Sequence, residues 1–150
     1  MAAPDSPKRT RRSVTLTRTA PGRFNVTNGR GASLTVSASD DAFTPTELLL
    51  AAIAGCTGLD VHAISSRRAE PESFELEAVG YKVRDEGGNR MTDLEVVFRV
   101  SFPEGESGDA AREVLPVAMQ RSHDTLCTVS RTVYLGTPVS SRIEGEDRQH

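Results

Sequence analysis

The sequence predicts an α+β domain in which antiparallel strands pack against one apolar helix. Residues 13–39 alternate apolar and polar side chains between glycine-containing turns, and residues 94–102 alternate again. Between these segments lies the longest run without charge, the twelve residues between Glu47 and Asp60. Alternation with a period of two is typical of half-buried strands, whereas an apolar run behind a capping sequence is typical of a buried helix. The predicted order of elements is β-β-β-α-β-β-α-β.

The composition argues against several classes of protein. A chain of 150 residues can form one domain with its own core, and its net charge of −3 gives no overall attraction to nucleic acid or an acidic membrane. The uncharged run is shorter than the roughly twenty residues of a membrane span. Residues 1–12 are basic and contain no apolar segment typical of a signal peptide. We therefore expect a cytoplasmic protein without membrane or nucleic-acid partners, with residues 1–12 and 145–150 as tails of a domain over residues 13–144.

Three short strands are predicted at the start of the domain. Apolar residues alternate over residues 13–39, and two turn sequences divide the segment, Ala20-Pro21-Gly22 and Asn28-Gly29-Arg30-Gly31. Glycine and asparagine tolerate the left-handed backbone that tight turns need. An antiparallel three-stranded sheet follows from this pattern.

The central helix is predicted to begin with a capping box. Thr44 suits the N-cap, Pro45 the first helical position and Glu47 the third, and the helix is expected to end near residues 65–68. Residues 48–59 are apolar or small on every side, so the helix should be buried all round. Such a helix is too apolar for a monomer to cover easily, which predicts a homodimer with a shared core.

The second half of the chain predicts a hairpin, a helix and a last strand. The alternation over residues 74–102 slips at Gly80, which indicates a β-bulge. A second helix is expected over residues 107–123, with Ser107 as its cap and a kink or a restart at Pro116. Residues 132–143 are expected to form the strand that closes the fold.

The two cysteines, Cys56 and Cys127, are the candidates for chemistry. In a reducing compartment such a pair is more often catalytic, redox-sensing or metal-binding than structural. A zinc site that adds His62 and His123 is disfavoured, because neither cysteine belongs to a Cys-x-x-Cys pair. No nucleotide-binding or nucleophilic-serine motif is present, and we expect no metal and no cofactor.

Two segments resemble signature sequences of the OsmC/Ohr-like family, the osmotically inducible protein C and organic hydroperoxide resistance proteins. Residues 44–57, Thr-Pro-Thr-Glu-Leu-Leu-Leu-Ala-Ala-Ile-Ala-Gly-Cys-Thr, resemble the central-helix signature, and residues 126–130, Leu-Cys-Thr-Val-Ser, resemble the second cysteine motif. The resemblance covers about residues 13–144 and is closest to the divergent OsmC-like branch. It implies antiparallel sheets wrapped around a buried central helix, in an intertwined homodimer with two sites at the subunit interface.

The resemblance also implies a thiol-dependent peroxidase that reduces organic hydroperoxides in defence against oxidative stress. Cys56 would attack the peroxide and Cys127 would resolve the product as a disulfide, which a dithiol reductant would reset. Apolar surroundings favour alkyl or lipid-derived peroxides, and we expect Leu49, Ile53 and His123 to contact the substrate. The alternative is a non-catalytic OsmC-like protein for redox sensing or small-molecule binding.

In the best-known members of the family, a glutamate and an arginine hold the reactive cysteine as a thiolate. The candidates here are Glu47 and either Arg23 or Arg30. Glu47 lies nine residues before Cys56, about 180° around the helix, and its capping role explains it without catalysis, so both roles stay open. Without a cationic neighbour the pKa of the Cys56 thiol would be raised by its apolar surroundings, which favours the alternative function.

Two further groups have open roles beside the cysteines. Asp60 lies four residues after Cys56 on the same helical face, where a carboxylate disfavours a thiolate unless it recruits an arginine. His123 lies four residues before Cys127 and, when protonated, would lower the pKa of that thiol if the segment is helical. Each of them also fits a solvent-exposed position without a role in chemistry.

Overall fold

The computed structural model describes residues 7–145, so parts of both predicted tails, residues 1–6 and 146–150, lie outside the described chain. The chain divides after Leu48 into two compact units. The elements are β1 (Val14–Ala20), β2 (Arg23–Asn28), β3 (Ser33–Ser37), α1 (Pro45–Ser65), β4 (Ser73–Asp85), β5 (Gly88–Ser101), α2 (Glu106–Arg121), a π-helical turn (Ser122–Leu126) and α3 (Thr128–Leu135). The α+β class and the antiparallel pairing of the strands are confirmed.

The first unit contains the predicted three-stranded sheet, in the order β1-β2-β3. Gly22 takes a φ of +67° in the first turn and Gly31 a φ of +91° in the second. The Asn28 side chain organises the second turn, since its Oδ1 accepts hydrogen bonds from the backbone N–H groups of Arg30 at 2.9 Å and Ala32 at 3.0 Å. The turn residues therefore do what their types predict.

Helix α1 begins at the predicted cap. The Thr44 Oγ1 accepts a hydrogen bond from the Glu47 backbone N–H at 3.3 Å, and the Thr44 hydroxyl donates to Glu47 Oε1 at 2.9 Å. The first bond satisfies one of the N–H groups that a helix start leaves without a partner. The Glu47 carboxylate thus contacts the cap residue through the Thr44 hydroxyl rather than through its backbone N–H, the bond of a full capping box.

Helix α1 is buried on one face in the single chain, and its predicted burial on all sides, which calls for a partner chain, stays a prediction. Its buried residues are Ile53, Thr57, Val61 and Ser65, which follow each other at intervals of four and so form one face. On another face Leu59 is 76% exposed. The physical reason is that one chain covers only one side of this helix.

The length and composition of α1 would also allow a membrane span, with a mean hydropathy of 1.6 over the most apolar window. Core helices of soluble proteins meet the same criterion, so one such helix is weak evidence for a membrane protein. The uncharged run over residues 48–59, which predicted no membrane span, is shorter than helix α1 itself.

The long hairpin of β4 and β5 contains the predicted bulge. The pairing shifts between Val79 and Tyr81, and on the opposite strand Asp93 adopts a φ of +52°. A Cβ atom at Gly80 would lie 2.6 Å from Leu94 Cδ2, so glycine leaves room for the Leu94 side chain here. The bulge increases the local twist of the hairpin.

Helix α2 differs from its prediction at its start and in its middle. The N-cap is Gly105 with a φ of +107°, not Ser107, because glycine accepts this backbone conformation without strain. The helix runs through Pro116 without a restart. A proline inside a helix removes one hydrogen bond, and the turns on either side of Pro116 remain helical.

The predicted last strand over residues 132–143 is wrong, because Thr128–Leu135 form helix α3 and no regular element follows it in the described chain. Cys127 is the N-cap of α3, and its sulfur accepts a hydrogen bond from the Ser130 backbone N–H. Gly136 ends the helix in the left-handed conformation. The two caps stabilise a short helix where the strand was expected to begin.

Candidate active site

The two free cysteines come together in the second unit, beside a carboxylate. The sulfur atoms of Cys56 and Cys127 and a carboxylate oxygen of Asp60 all lie within 4.8 Å of one another. Cys56 and Asp60 are four residues apart on α1 and share one face, whereas Cys127 comes from the start of α3. A disulfide bond is about 2.05 Å long, so the two sulfurs are within reach of side-chain rotation and a small backbone shift.

Cys127 is the thiol that the structure prepares for a negative charge. Its Sγ accepts hydrogen bonds from the Ser130 backbone N–H at 3.3 Å and the Thr57 hydroxyl at 3.6 Å, and it lies 3.2 Å from Ser130 Oγ. Burial raises the pKa of Cys127, but the hydrogen bonds from Ser130 and Thr57 outweigh burial, so the pKa is lowered from its ordinary value. A sulfur at a helix N-terminus gains further from the helix dipole.

Cys56 has the opposite character. Burial is the largest cause that raises the pKa of its thiol, and the hydrogen bond to Cys127 and the charges of Cys127 and Asp60 raise it further, against a hydrogen bond from the Val129 backbone. Of the two thiols, Cys127 is therefore the one that ionises first, and the hydrogen bond between the sulfurs favours the charge on Cys127. Cys56 is partly exposed, whereas Cys127 is 0% exposed.

An apolar cavity of about 530 Å³ lies beside the cysteine pair in the second unit. Thr57 and Ser130 are among its lining residues, and both are hydrogen-bonded to Cys127. The rest of the wall is mainly apolar and includes Leu50, Ile53, Leu94, Val96, Phe98 and Met119. A cavity of this size and polarity suits a small apolar molecule.

Comparisons with known proteins agree with this arrangement of helices and hairpins. Residues 38–142 match the family model described as OsmC-like protein. The chain belongs to the OsmC-like family. No curated protein matches the sequence of this OsmC-like protein at a significant level.

Solved structures show the same fold at low sequence identity. A hypothetical protein from Aquifex aeolicus has a TM-score of 0.69 at 20% identity, with 86% of this chain and 91% of that chain covered. An OsmC-like protein of unknown function from Vibrio cholerae has a TM-score of 0.70 at 17% identity, with coverages of 83% and 94%. The organic hydroperoxide resistance protein OhrB of Bacillus subtilis has a TM-score of 0.51 at 18% identity, with coverages of 82% and 90%.

Two of the three residues predicted to contact substrate line the apolar cavity. Ile53 and His123 line the cavity, whereas the described lining includes Leu50 and not its neighbour Leu49. His123 pairs with Asp124, with 3.0 Å between Nδ1 and Oδ1, and its ring lies 6.4 Å from that of Tyr134. The imidazole therefore has partners other than the thiol of Cys127.

The remaining predicted residues of this OsmC-like protein have partners of their own. In the first unit Arg23 forms a two-point ion pair with Asp41 at 3.1 Å, which raises the pKa of Arg23 and lowers that of Asp41. His62 packs its ring against Phe74. An activating role of Arg23, Arg30 or Glu47 at the reactive thiol stays a prediction.

The sequence did not reveal the polar groups around the two cysteines. Thr57, Ser122 and Ser130 are the hydroxyl side chains that contact the sulfurs or Asp60, and Ser122 donates to Asp60 Oδ2 at 2.9 Å. One signal was available for Ser130, because a residue three positions after an N-cap is where the capping hydrogen bond falls. Ser122 and Thr57 are joined to their partners only by the tertiary fold.

Ser130→Ala is expected to raise the pKa of Cys127, because the variant loses the side-chain hydrogen bond that most favours the thiolate. Ultraviolet absorbance of the thiolate, followed against pH in a Cys56→Ser background, measures this pKa. Thr132→Ala is the matched control, since its hydroxyl bonds to the Thr128 carbonyl oxygen on the same helix. Equal titration curves for Ser130→Ala and Thr132→Ala would contradict the assignment.

Proposed function

We propose that this OsmC-like protein reduces organic hydroperoxides through the thiols of Cys56 and Cys127. The observation that supports this function is the pair of sulfurs within 4.8 Å of each other, next to an apolar cavity of about 530 Å³. The name of the similar Bacillus subtilis protein, an organic hydroperoxide resistance protein, points to the same substrate class. The cavity favours alkyl over hydrogen peroxide, because an apolar wall gains by covering an alkyl group.

Access decides which sulfur attacks first. Cys127 has the lowered pKa, but it is 0% exposed, whereas Cys56 is partly exposed. An attacking sulfur must touch the peroxide oxygen, so we assign the attack to Cys56 and the role of its base to Cys127. The Cys56 thiol passes its proton to the Cys127 thiolate as the attack begins.

The first chemical step, the reaction of Cys56 with the hydroperoxide, needs no other reagent. The sulfur of Cys56 attacks the terminal oxygen of the hydroperoxide, an S–O bond forms and the O–O bond breaks. The alkoxide leaves and takes the proton from Cys127, which becomes a thiolate again. Cys56 is now a sulfenic acid, and the products are an alcohol and the recharged Cys127.

The second step protects Cys56 from further oxidation. The Cys127 thiolate attacks the sulfur of the sulfenic acid, an S–S bond forms, the S–O bond breaks, and the leaving hydroxide takes a proton from solvent to become water. Two thiols have been oxidised by two electrons and the hydroperoxide has been reduced to alcohol and water. A dithiol then reduces the protein disulfide by exchange and is itself oxidised.

The exposed side of α1 supports a homodimer. Leu59 is 76% exposed on a helix whose composition is that of a core element. A second chain that covers this side would remove apolar surface from water, which stabilises association. We propose that the active form is a cytoplasmic homodimer.

Thiol counting tests the proposed function directly. Reduced protein treated with one equivalent of cumene hydroperoxide is expected to lose both free thiols and the mass of two hydrogens, and to regain them with a dithiol. With excess dithiol the protein should consume many equivalents of peroxide. Retention of both thiols in folded, peroxide-treated protein would overturn the proposal.

The raised pKa of Cys56 favours a second candidate, a redox sensor that forms the disulfide without rapid turnover. The same experiment separates the two functions. A sensor forms one disulfide per chain, and with excess dithiol it consumes peroxide only slowly, by few turnovers per chain. A peroxidase consumes peroxide continuously.

A further inference from the structure

We infer that Cys56, Asp60 and Cys127 form a binding site for a thiophilic divalent cation, with Zn²⁺ as the best match. The donor atoms of these three residues lie within 4.8 Å of one another. A zinc ion about 2.3 Å from each of two thiolates in tetrahedral geometry brings the sulfurs to roughly 3.8 Å. The three groups therefore need only a small contraction to share one ion.

The three ligand side chains lie on helices or at a helix start, and these elements fix the orientation of each side chain. Cys56 and Asp60 are four residues apart on α1, a spacing that presents two side chains on the same face. Cys127 is held at the N-cap of α3 by the Ser130 backbone N–H. A site on helices loses less free energy to ordering its ligands than a site on loops.

A neighbouring hydroxyl supports the carboxylate ligand. Ser122 is 0% exposed, and its Oγ donates to Asp60 Oδ2 at 2.9 Å. Such a hydrogen bond fixes the orientation of a ligating carboxylate and leaves its other oxygen free to bind. This contact is independent of the cysteines, and it gives Asp60 the environment typical of a metal ligand.

The charges of the cluster also call for a cation. Cysteine and aspartate bind a metal as thiolate and carboxylate, so three anionic ligands would lie within 4.8 Å of one another. Among the described residues of the second unit, no lysine, arginine or histidine forms an ion pair with Asp60. A divalent ion offsets the repulsion among these ligands and displaces the thiol protons.

The donor set selects the metal and limits its role. Two thiolates favour zinc over the hard cations magnesium and calcium, and three protein ligands leave a fourth position for water. The zinc site that the sequence disfavoured combined both cysteines with His62 and His123. The site inferred here has Asp60 in place of the two histidines. A bound ion occupies both sulfurs, and if the proposed peroxidase function holds, it inhibits peroxide reduction reversibly.

Cobalt substitution tests the site without any use of peroxide. Reduced, metal-free protein titrated with Co²⁺ is expected to develop sulfur-to-metal charge-transfer absorbance and the visible bands of tetrahedral Co²⁺, at one ion per chain. One equivalent of Zn²⁺ should remove both signals. Absence of the charge-transfer band at millimolar Co²⁺ would overturn the inference and leave the peroxidase proposal untouched.

Variants locate the ligands. Asp60→Asn and Ser122→Ala are expected to weaken Zn²⁺ binding by about 10-fold to 100-fold, the usual effect of losing a supporting contact or a ligand charge. Asp124→Asn is the matched control, because this exposed carboxylate bonds to Gln120 and His123. Circular dichroism checks that each variant is folded. Zinc affinity of Asp60→Asn and of Ser122→Ala equal to that of Asp124→Asn would also overturn the site.

Discussion

Cys56→Ser is expected to lower peroxide turnover by roughly a thousandfold or more, because the variant lacks the sulfur that accepts the peroxide oxygen. A serine hydroxyl has a similar size but is a far weaker nucleophile toward peroxide. The rate of cumene hydroperoxide loss with excess dithiol measures the effect. The variant should keep the fold, since Cys56 is only partly buried.

Cys127→Ser is the informative partner of this variant. Without the thiol that serves as base and resolving group, Cys56 is expected to react more slowly and, when no dithiol is present, to remain as a sulfenic acid that dimedone traps before it over-oxidises with further peroxide. Mass spectrometry locates the modified cysteine. Sustained turnover by Cys56→Ser, or loss of the remaining thiol without a trapped sulfenic acid at Cys56 in Cys127→Ser, would contradict the two-cysteine cycle.

Gly108→Ala is expected to destabilise the protein by about 3 kcal/mol, near the upper end of the usual cost of overpacking. Gly108 is buried near the start of α2, and a Cβ atom there would lie 1.6 Å from the Pro103 carbonyl oxygen. A backbone oxygen cannot rotate away as a side chain can, so the start of the helix or the chain before it must move. Urea denaturation measures the change in the free energy of unfolding.

Ser107→Ala is the matched control for this experiment. Ser107 is exposed and adjacent in sequence, and the helix N-cap is Gly105. The free energy of unfolding should therefore change by no more than about 0.5 kcal/mol. If Ser107 were the cap that the sequence suggested, its loss would cost about 1 kcal/mol. Equal stability of Gly108→Ala and Ser107→Ala would contradict the predicted clash at Gly108.

Much of the fold was predictable because local physics decides it. The turns at Gly22 and Gly31 need a left-handed backbone, and the cap at Thr44 and Glu47 is a short-range motif. Helix α3, which stands in place of the predicted last strand, was not predictable in the same way. Cysteine is an unusual N-cap residue, so the start of α3 at Cys127 carried no familiar signal.

The candidate site was predicted only in outline. The spacing of Cys56 and Asp60 places both on one face of a helix, and this follows from the helix geometry alone. The hydroxyl groups of Thr57 and Ser122 contact residues far away in the chain. Their partners depend on how α1 packs against the end of α2 and the start of α3, which no local pattern encodes.

The cap of α3 links the oxidation state of the protein to its shape. A helix of eight residues is too short to persist by itself, and its first turn relies on the sulfur of Cys127 as an acceptor. A sulfur in a disulfide carries no charge and is a poorer acceptor, so oxidation is expected to fray this end of the molecule. Faster amide hydrogen exchange at Ser130 in the disulfide form than in the reduced protein would measure this change in shape.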